Sequence, residues 1–406
     1  MNKRVAIIGG GAAGFFAAIN AASKAPDMEI SIFEKSNQLL GKVKVSGGGR
    51  CNVTNACFEP KELIKYYPRG AKELLGPFHV FQPGDIFDWF EQRGIALKTE
   101  DDNRVFPLSD SSQTIIDCFL GEAEQKKIRI HTGKGLTGLK RADYKWKLEF
   151  SDKAEDLFDA VIIAGGSSNA LWNLLSEAGH TIVPPVPSLF TFNINDPVIK
   201  DLPGVSAPGC DVKIEGTKFS ASGPVLITHW GLSGPGILRL SAWAARELAS
   251  VNYDFIVRIN WDNRFTKETL MELLRDWKAE HHKTTVKTFS AIKVPHRLWC
   301  SLLVQHGKLQ DTRWADVSNK QLESLAESLT SCFLRVQGKS TFKDEFVTAG
   351  GINLKEVDFK TMQSKILPGI YFAGEILDID AITGGFNFQA AWTTGYIAAN
   401  SISSNG

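Results

Sequence analysis

The first 34 residues constrain the fold more than any other stretch. Val5-Ala6-Ile7-Ile8 is a short apolar, β-branched run, the composition of a parallel strand buried on both faces. Gly9-Gly10-Gly11-Ala12-Ala13-Gly14 follows at once and fits G-x-G-x-x-G, and Ala13 to Lys24 continues as a small-residue helix. Gly9 permits the tight turn, Gly11 lets the backbone approach a pyrophosphate, and Gly14 lets the helix lie close on the strand. The helix N-terminus, with Ala12 and Ala13 in its first turn, offers unpaired N–H groups and a partial positive charge to phosphates. A second strand, Glu29 to Phe33, ends at Glu34 and Lys35, with the acid 20 residues after Gly14, where a carboxylate accepts hydrogen bonds from a ribose. Strand, fingerprint, helix, strand and acid in this order specify a dinucleotide half-site; the alternative is a glycine-rich turn with no ligand. The acid favours a free ribose hydroxyl over a 2′-phosphate, hence FAD or NAD rather than NADP.

The next segment selects FAD. Gly41 to Asn55 reads GKVKVSGGGRCNVTN, a glycine-rich loop carrying Lys42, Ser46, Gly47, Gly48, Arg50, Cys51 and Asn52. Such a loop wraps a further stretch of cofactor with backbone donors, and its cations neutralise a pyrophosphate or sit at a flavin ring; alone it also reads as an anion-binding nest or a surface loop. Val161-Ile162-Ile163-Ala164-Gly165-Gly166 repeats the strand-into-glycine pattern. Near the C-terminus, Ile370 to Glu375 runs a strand into Gly374 and Glu375. Thr383-Gly384-Gly385-Phe386-Asn387 then opens a helix expected over Phe388 to Asn400. The N-terminus of that helix suits the flavin edge, where its dipole stabilises negative charge on reduction. The alternative is an ordinary helix start capped by Asn387.

Together these segments resemble the bacterial FAD-dependent oxidoreductases that include aminoacetone oxidase and a bile-acid reductase of gut bacteria. The matching strings are Gly9–Gly14, Gly41–Asn55, Arg104-Val105-Phe106-Pro107, Thr228-His229-Trp230-Gly231-Leu232-Ser233-Gly234-Pro235, Thr348–Ile352, Tyr371–Glu375 and Thr383–Asn387, with Asp378 and Asp380. The resemblance implies an α/β fold: a Rossmann-type FAD-binding domain with an inserted β-barrel-like domain and a helical cap. It also implies that backbone groups near Gly135 and Leu136 hold the adenine. Three departures stand out: Asn103 replaces a glycine before the Arg104–Pro107 string, Ser168 to Trp172 replaces a proline and glycines after Ala164-Gly165-Gly166-Ser167, and Phe386 replaces a tyrosine.

The pattern along the chain supports the same plan. Pro184, Pro185 and Pro187 mark a boundary. Short alternating strands follow to about residue 262, helical periodicity runs from 263 to 334, and strand signals return from about 335. The expected division is therefore residues 1–187 and 335–406 for the FAD-binding domain, 188–262 for a β-rich insertion and 263–334 for a helical cap roofing the flavin. Of the insertion's aromatics, Trp230, Trp243, Trp261, Trp277, Trp299 and Trp314, most are expected to be core.

The charge balance is even, 46 Lys and Arg against 45 Asp and Glu. It argues against nucleic acid or an anionic membrane as a partner. No stretch reaches the length of a membrane span, and three consecutive glycines spoil the N-terminal run as a signal helix. The six cysteines form no C-x-x-C pair, so metal and dithiol sites have no support, and scattered thiols fit a cytoplasmic protein.

For chemistry, His229 is the first proton-donor candidate, since imidazole titrates near neutrality, against a histidine merely bonded in a turn. Arg104 is the second, steadying an anionic substrate or flavin, against a surface ion pair with Asp101 or Asp102. Asp378 and Asp380 are supporting groups or a solvated acidic turn. The expected activity is hydride transfer between flavin N5 and a small organic substrate, with NAD(P)H as transient donor or oxygen as acceptor. No second complete fingerprint marks a dedicated NAD(P)H domain. The rivals are a non-catalytic FAD-bound redox sensor or interaction protein, and a flavin-dependent RNA-modifying enzyme with a basic face.

Overall fold

The computed structural model describes residues 2–289, 291–307, 309–340 and 347–404. The chain divides into two compact units, Met1–Val186 with Lys343–Gly406, and Pro187–Phe342.

The first unit is built on a seven-stranded sheet in the order Val357–Asp358, Gln363–Ser364, Ile370–Phe372, Ala160–Ile163, Arg4–Ile8, Glu29–Phe33, Arg129–His131. We call Arg4–Ile8 β1, Ala12–Lys24 α1 and Glu29–Phe33 β2. The pairings from Ile370–Phe372 through to Arg129–His131 are all parallel, with Ile7 beside Ile162 and Ile32. The central strands Ala160–Ile163 and Arg4–Ile8 are runs of Val, Ile and Ala, buried from Val5 to Ile8 and throughout Ala160–Ile163, because both faces are covered. Helix α1 packs on the long C-terminal helix Phe386–Ser404. Phe16 of α1 lies 5.2 Å from Trp392, 4.9 Å from Trp89 and 5.5 Å from Phe81, ring centre to ring centre, in a buried aromatic cluster. The unit also holds two three-stranded antiparallel sheets, Leu136–Ala142 with Lys145–Phe150 and Glu155–Phe158, and Thr54–Asn55 with Arg104–Pro107 and Leu97–Thr99, and Val347–Ile352 pairs with Ile182–Ser188 in a two-stranded sheet.

The second unit holds an antiparallel seven-stranded sheet, Cys332–Gln337, Asp254–Asn260, Ser206–Ile214, Ser220–Thr228, Gly231–Ser233, Thr191–Asn193, Lys339–Ser340. Its two edge strands are joined by Gly338 alone, at φ +92°, so the sheet curls back on itself. Helices Lys267–Glu280, His296–Gln305 and Asn319–Thr330 share one hydrophobic core with that sheet. The β-rich and helical stretches therefore bury a common interior, with Val212 and Ile259 of the strands in the same cluster as Leu270, Leu322 and Leu325 of the helices. Trp261, Trp299 and Trp314 are core, whereas Trp230 and Trp243 are exposed.

The return to the first unit falls later than residue 335. Cys332–Gln337 is the partner of Asp254–Asn260 in the second unit's sheet, Arg335 opposite Ile256. Alternation identifies a strand without saying which sheet will take it. Residues 341–346 of the expected return lie outside the described residues. Among the described residues no helix is long and apolar enough to cross a membrane.

At one edge of the first sheet, His180 is buried against Phe372, between the Glu356 carboxylate on Nδ1 and the Ser364 hydroxyl on Nε2, both at 2.9 Å. A carboxylate only accepts, so Nδ1 carries a proton towards Glu356, while the Ser364 hydroxyl can serve Nε2 as donor to the neutral ring or as acceptor from the charged one. Burial holds the His180 pKa below its usual value, against the pull of Glu356. Burial opposes ionisation of Glu356, but the Thr181 N–H and His180 outweigh it and hold that carboxyl below its usual range. In both cases the unfolded chain takes up the proton first, so stability is full above the unfolded histidine value of about 6.5 and falls as the pH drops through the folded values. We predict a lower urea midpoint at pH 5 than at pH 7.5, with a shallower fall in H180Q; equal slopes for the two proteins would show that His180 is not responsible.

Candidate functional site

The glycine turn after β1 is built by close contacts. Gly9 sits at φ +118° and donates its N–H to Phe33 O at 2.8 Å, and a Cβ there would lie 2.4 Å from Ala164 O. A Cβ on Gly14 would lie 2.0 Å from Gly9 O, so α1 approaches the strand end as no side chain would allow. Gly11, the residue before the helix, differs: a Cβ there would meet nothing within 4 Å. The N–H groups of the first turn have no intrahelical acceptors and open onto this space.

Glu34 is committed to the turn before any ligand arrives. One carboxylate oxygen accepts from Gly10 N–H at 2.8 Å, the other from Ser36 N–H at 2.9 Å. Each oxygen keeps a lone pair for a ribose hydroxyl. Lys35 lies against Gly135, whose missing side chain would be 3.2 Å from Lys35 Cβ, Lys134 N–H donates to Glu34 O at 2.8 Å, and Leu136 next along is buried. Ala164 and Gly165 press on the β1 turn: Ala164 donates to Ile8 O, and a Cβ on Gly165 would lie 2.1 Å from Leu171. Gly374 arrives from the far end of the chain, its Cβ position 2.9 Å from Ala13 Cβ, and donates its N–H to Thr394 Oγ1 at 3.0 Å. Its neighbour Glu375 pairs with Lys42.

The segment read as a glycine-rich loop is largely helical over Gly41–Gly49, broken at Ser46, with Gly47, Gly48 and Gly49 at φ +58°, +69° and +84°. The helical turn before the break was missed because the stretch 41–45 is short, opens on glycine and has two β-branched valines, so it carries little helical signal. Gly47 is closed in, its Cβ position 2.9 Å from the Phe106 ring, while Gly48 and Gly49 face open space. Cys51 is buried, and that burial pushes its thiol up to about 12, so it is not a ready thiolate. Arg50 stacks 3.9 Å over Phe106 and pairs with Glu100 at 2.7 Å.

This loop is sewn to the C-terminal turn. The Asn52 amide, oriented to match its neighbours, accepts from Gly385 N–H at 3.0 Å and donates to Thr54 O at 3.0 Å. Asn55 Nδ2 donates to Gly384 O at 3.0 Å. A Cβ on Gly385 would be 2.3 Å from Thr54 O. The C-terminal helix starts at Phe386, two residues before the expected Phe388. Asn387 is therefore not its cap: it lies in the first turn, and its amide bonds Ala381 N–H at 2.9 Å and Ala381 O at 3.0 Å. Phe386 is buried, and Phe388 stacks on Trp392.

Of the candidates for chemistry, Arg104 stands opposite Asn55 in the small sheet beside the glycine segment. Arg104 is held by Glu100 at 2.9 Å and Asp102 at 2.7 Å on a partly exposed edge. His229 belongs to the second unit, exposed in the turn between Ser220–Thr228 and Gly231–Ser233. Asp380 is fully buried and paired with Arg69, so the solvated-turn reading fails for it. Sequence reasoning missed Arg69, Tyr66 and Tyr67, which reach the turn at 380–386 from about 300 positions away. It also missed the buried chain from Thr54 Oγ1 to Gln389 Oε1 at 2.6 Å and on to Thr393 at 3.1 Å. Among the described residues no three His, Cys, Asp or Glu side chains gather as a metal site.

The residues fit FAD on one physical test. Where the fingerprint needs protein contact, at Gly9, Gly14 and Gly385, a Cβ would collide with backbone, and where it needs ligand contact, at Gly11, Gly48 and Gly49, the space is free.

Comparisons with known proteins agree. The family described as HI0933-like protein Rossmann domain matches residues 3–401. The chain is 26% identical over 407 residues to the ribosomal RNA dihydrouridine synthase of Escherichia coli (strain K12), covering 98% of this chain and 97% of that one. It is 27% identical over 406 residues to the 3-dehydro-bile acid delta(4,6)-reductase of Clostridium scindens, covering 98% of each. Among solved structures, the 3-ketosteroid-delta4-(5alpha)-dehydrogenase of Rhodococcus jostii RHA1 aligns with a TM-score of 0.53 at 12% identity, over 99% of this chain and 97% of that one. At that identity the likeness speaks for the fold alone.

We predict opposite outcomes for two neighbouring glycines. G11A meets no protein atom and costs the apoprotein at most about 1 kcal/mol, while FAD affinity falls at least about tenfold. G14A destabilises the apoprotein itself, because backbone on both sides has to move. Urea unfolding and FAD titration of deflavinated protein separate the two; a G11A protein with wild-type affinity contradicts the assignment.

Proposed function

The chain belongs to the HI0933-like Rossmann family and is an FAD-dependent oxidoreductase, and we propose that it reduces a carbon–carbon double bond conjugated to a carbonyl in a small organic substrate. The observation that carries the cofactor end of this reading is the set of glycines whose backbone faces open space at Gly11, Gly48 and Gly49. The substrate class is supported by the names of the two relatives, since a uracil ring and a bile-acid 4,6-dienone both offer such a bond.

FAD, once reduced by its donor, would supply the hydride from N5 and return to the oxidised form. The chain's own residues hold it. The first-turn amides of α1 receive the pyrophosphate, and Glu34 with its spare lone pairs receives the ribose. Backbone at Gly47–Gly49 and Gly384–Phe386 would hold the flavin end, where the N-terminus of the C-terminal helix would favour negative charge developing on the ring system. NADH or NADPH is the donor in this reading, binding in passing without a domain of its own. Six free cysteines fit a reducing compartment, and we place the activity in the cytoplasm.

A second reading, with the double bond in an RNA uridine, is favoured by the full-length likeness to two ribosomal RNA dihydrouridine synthases. The even overall charge also conceals an uneven stretch: residues 281–310 hold five Lys or Arg and no Asp or Glu. Lys283, Lys293 and Arg297 within it are exposed, as a phosphate-binding surface requires.

Anaerobic mixing with NADH, then NADPH, is expected to bleach the visible flavin band. The reduced protein is then offered a 3-oxo-4-ene steroid or unmodified ribosomal RNA. Reoxidation by the steroid supports the first reading and by the RNA the second; reoxidation by oxygen alone overturns the reductase assignment.

A further inference from the structure

We propose that the buried Arg69–Asp380 ion pair is a positioning device for the flavin end of the cradle, fixing the pose of Gly384–Gly385–Phe386 and through it FAD affinity and the flavin's electronic environment. The inference rests on FAD occupying the cradle, and it concerns residues to which the cofactor reading gave no role.

The stretch from residue 378 to 385 contains no helix or strand of its own. What holds it comes largely from one short segment, residues 66–70. Arg69 meets Asp380 fork to fork, Nε on Oδ1 and an Nη on Oδ2. Tyr66 O accepts from Ile382 N–H at 3.1 Å. The Tyr66 ring stacks on Phe386, centres 4.3 Å apart and planes 15° apart. Tyr67 donates its hydroxyl to Phe386 O at 2.6 Å. A Cβ on Gly70 would sit 2.6 Å from Ile379 Cγ1. The segment thus grips the turn at 379, 380, 382 and 386, on either side of the two glycines.

A buried ion pair is a poor way to gain stability. Asp380 is 0% exposed, and taking its charge out of water offsets most of the attraction, so an apolar pair of similar volume would hold the fold as well. What the pair adds is direction. A guanidinium fork fixes both oxygens of one carboxylate in a plane, which hydrophobic contact does not. The pose passes on with little slack, because Gly385 is already pressed against Thr54 O and bonded by Asn52, and Asn387 clamps Ala381.

Two variants test this. R69K keeps a charge beside Asp380 but loses the fork. R69M/D380L removes both charges and leaves none buried alone, so it folds even where R69K does not. Deflavinated protein is titrated with FAD by flavin fluorescence, the visible absorption band of the loaded protein is recorded, and urea unfolding of the apoprotein is measured in parallel. The expected result is FAD affinity at least about tenfold weaker and a shifted band in R69M/D380L, with a urea midpoint at or above wild type. Where R69K folds, it binds FAD more weakly in the same way. Recovery of affinity to within about twofold of wild type in R69M/D380L, with the band unmoved, would show that the pair serves only the fold. A wild-type protein that cannot be loaded with FAD fails earlier and overturns the cofactor reading itself.

Discussion

Everything in the first unit depends on how closely α1 approaches the end of β1. The missing side chain of Gly14 leaves room for Gly9 O where a Cβ would be 2.0 Å away. That approach brings the open amides of the first helical turn beside the strand end. The same face of small residues is then reused. Gly374 settles against Ala13 Cβ, and Gly395 of the C-terminal helix against Ala13 O. One helix of alanines and glycines is the floor on which segments more than 350 residues apart meet.

A second regularity concerns charge. The glycine-rich segment carries cations that seemed free to meet a pyrophosphate. In the folded protein Lys42 is paired with Glu375, and Arg50 with Glu100 while stacked on Phe106. The attraction for an anion therefore falls largely to backbone amides and helix ends, which cost no side-chain ordering when a ligand arrives, with exposed Lys44 as the remaining cation of the segment. Lys42 and Arg50 instead tie the cradle's parts to one another.

Residues 5 to 34 were legible because their information is local: a buried strand, glycines at fixed offsets and an acid at a fixed distance. The C-terminal strand and glycine turn were legible for the same reason. What escaped was pairing at long range. Nothing near Asp380 announces Arg69, and nothing near Phe386 announces Tyr66 or Tyr67, because contacts across 300 positions leave no periodic trace. For Arg104 the ion pair with Asp102 was among the sequence readings, while the second partner, Glu100, was not, because spacing along a strand does not say which nearby acid a long side chain will reach. Strand signals were read from about 335 and given to the FAD-binding domain, whereas the strand begins at Cys332 and pairs within the second unit, since alternation encodes burial and not partnership.

The order of strands also bears on how the protein is made. Ile370–Phe372 lies inside the first sheet, hydrogen-bonded to Ala160–Ile163, which in turn borders β1. A ribosome must therefore deliver residue 372 before a strand begun at residue 4 has its sheet complete. The second unit is continuous in sequence and finished by then. Synthesis from the N-terminus gives the inserted unit the chance to close first, while the founding helix and strands wait with an apolar edge uncovered. The half of the molecule that opens the sequence is the last to become whole, and during that interval the Val161–Ile163 edge is the surface a chaperone would have to guard.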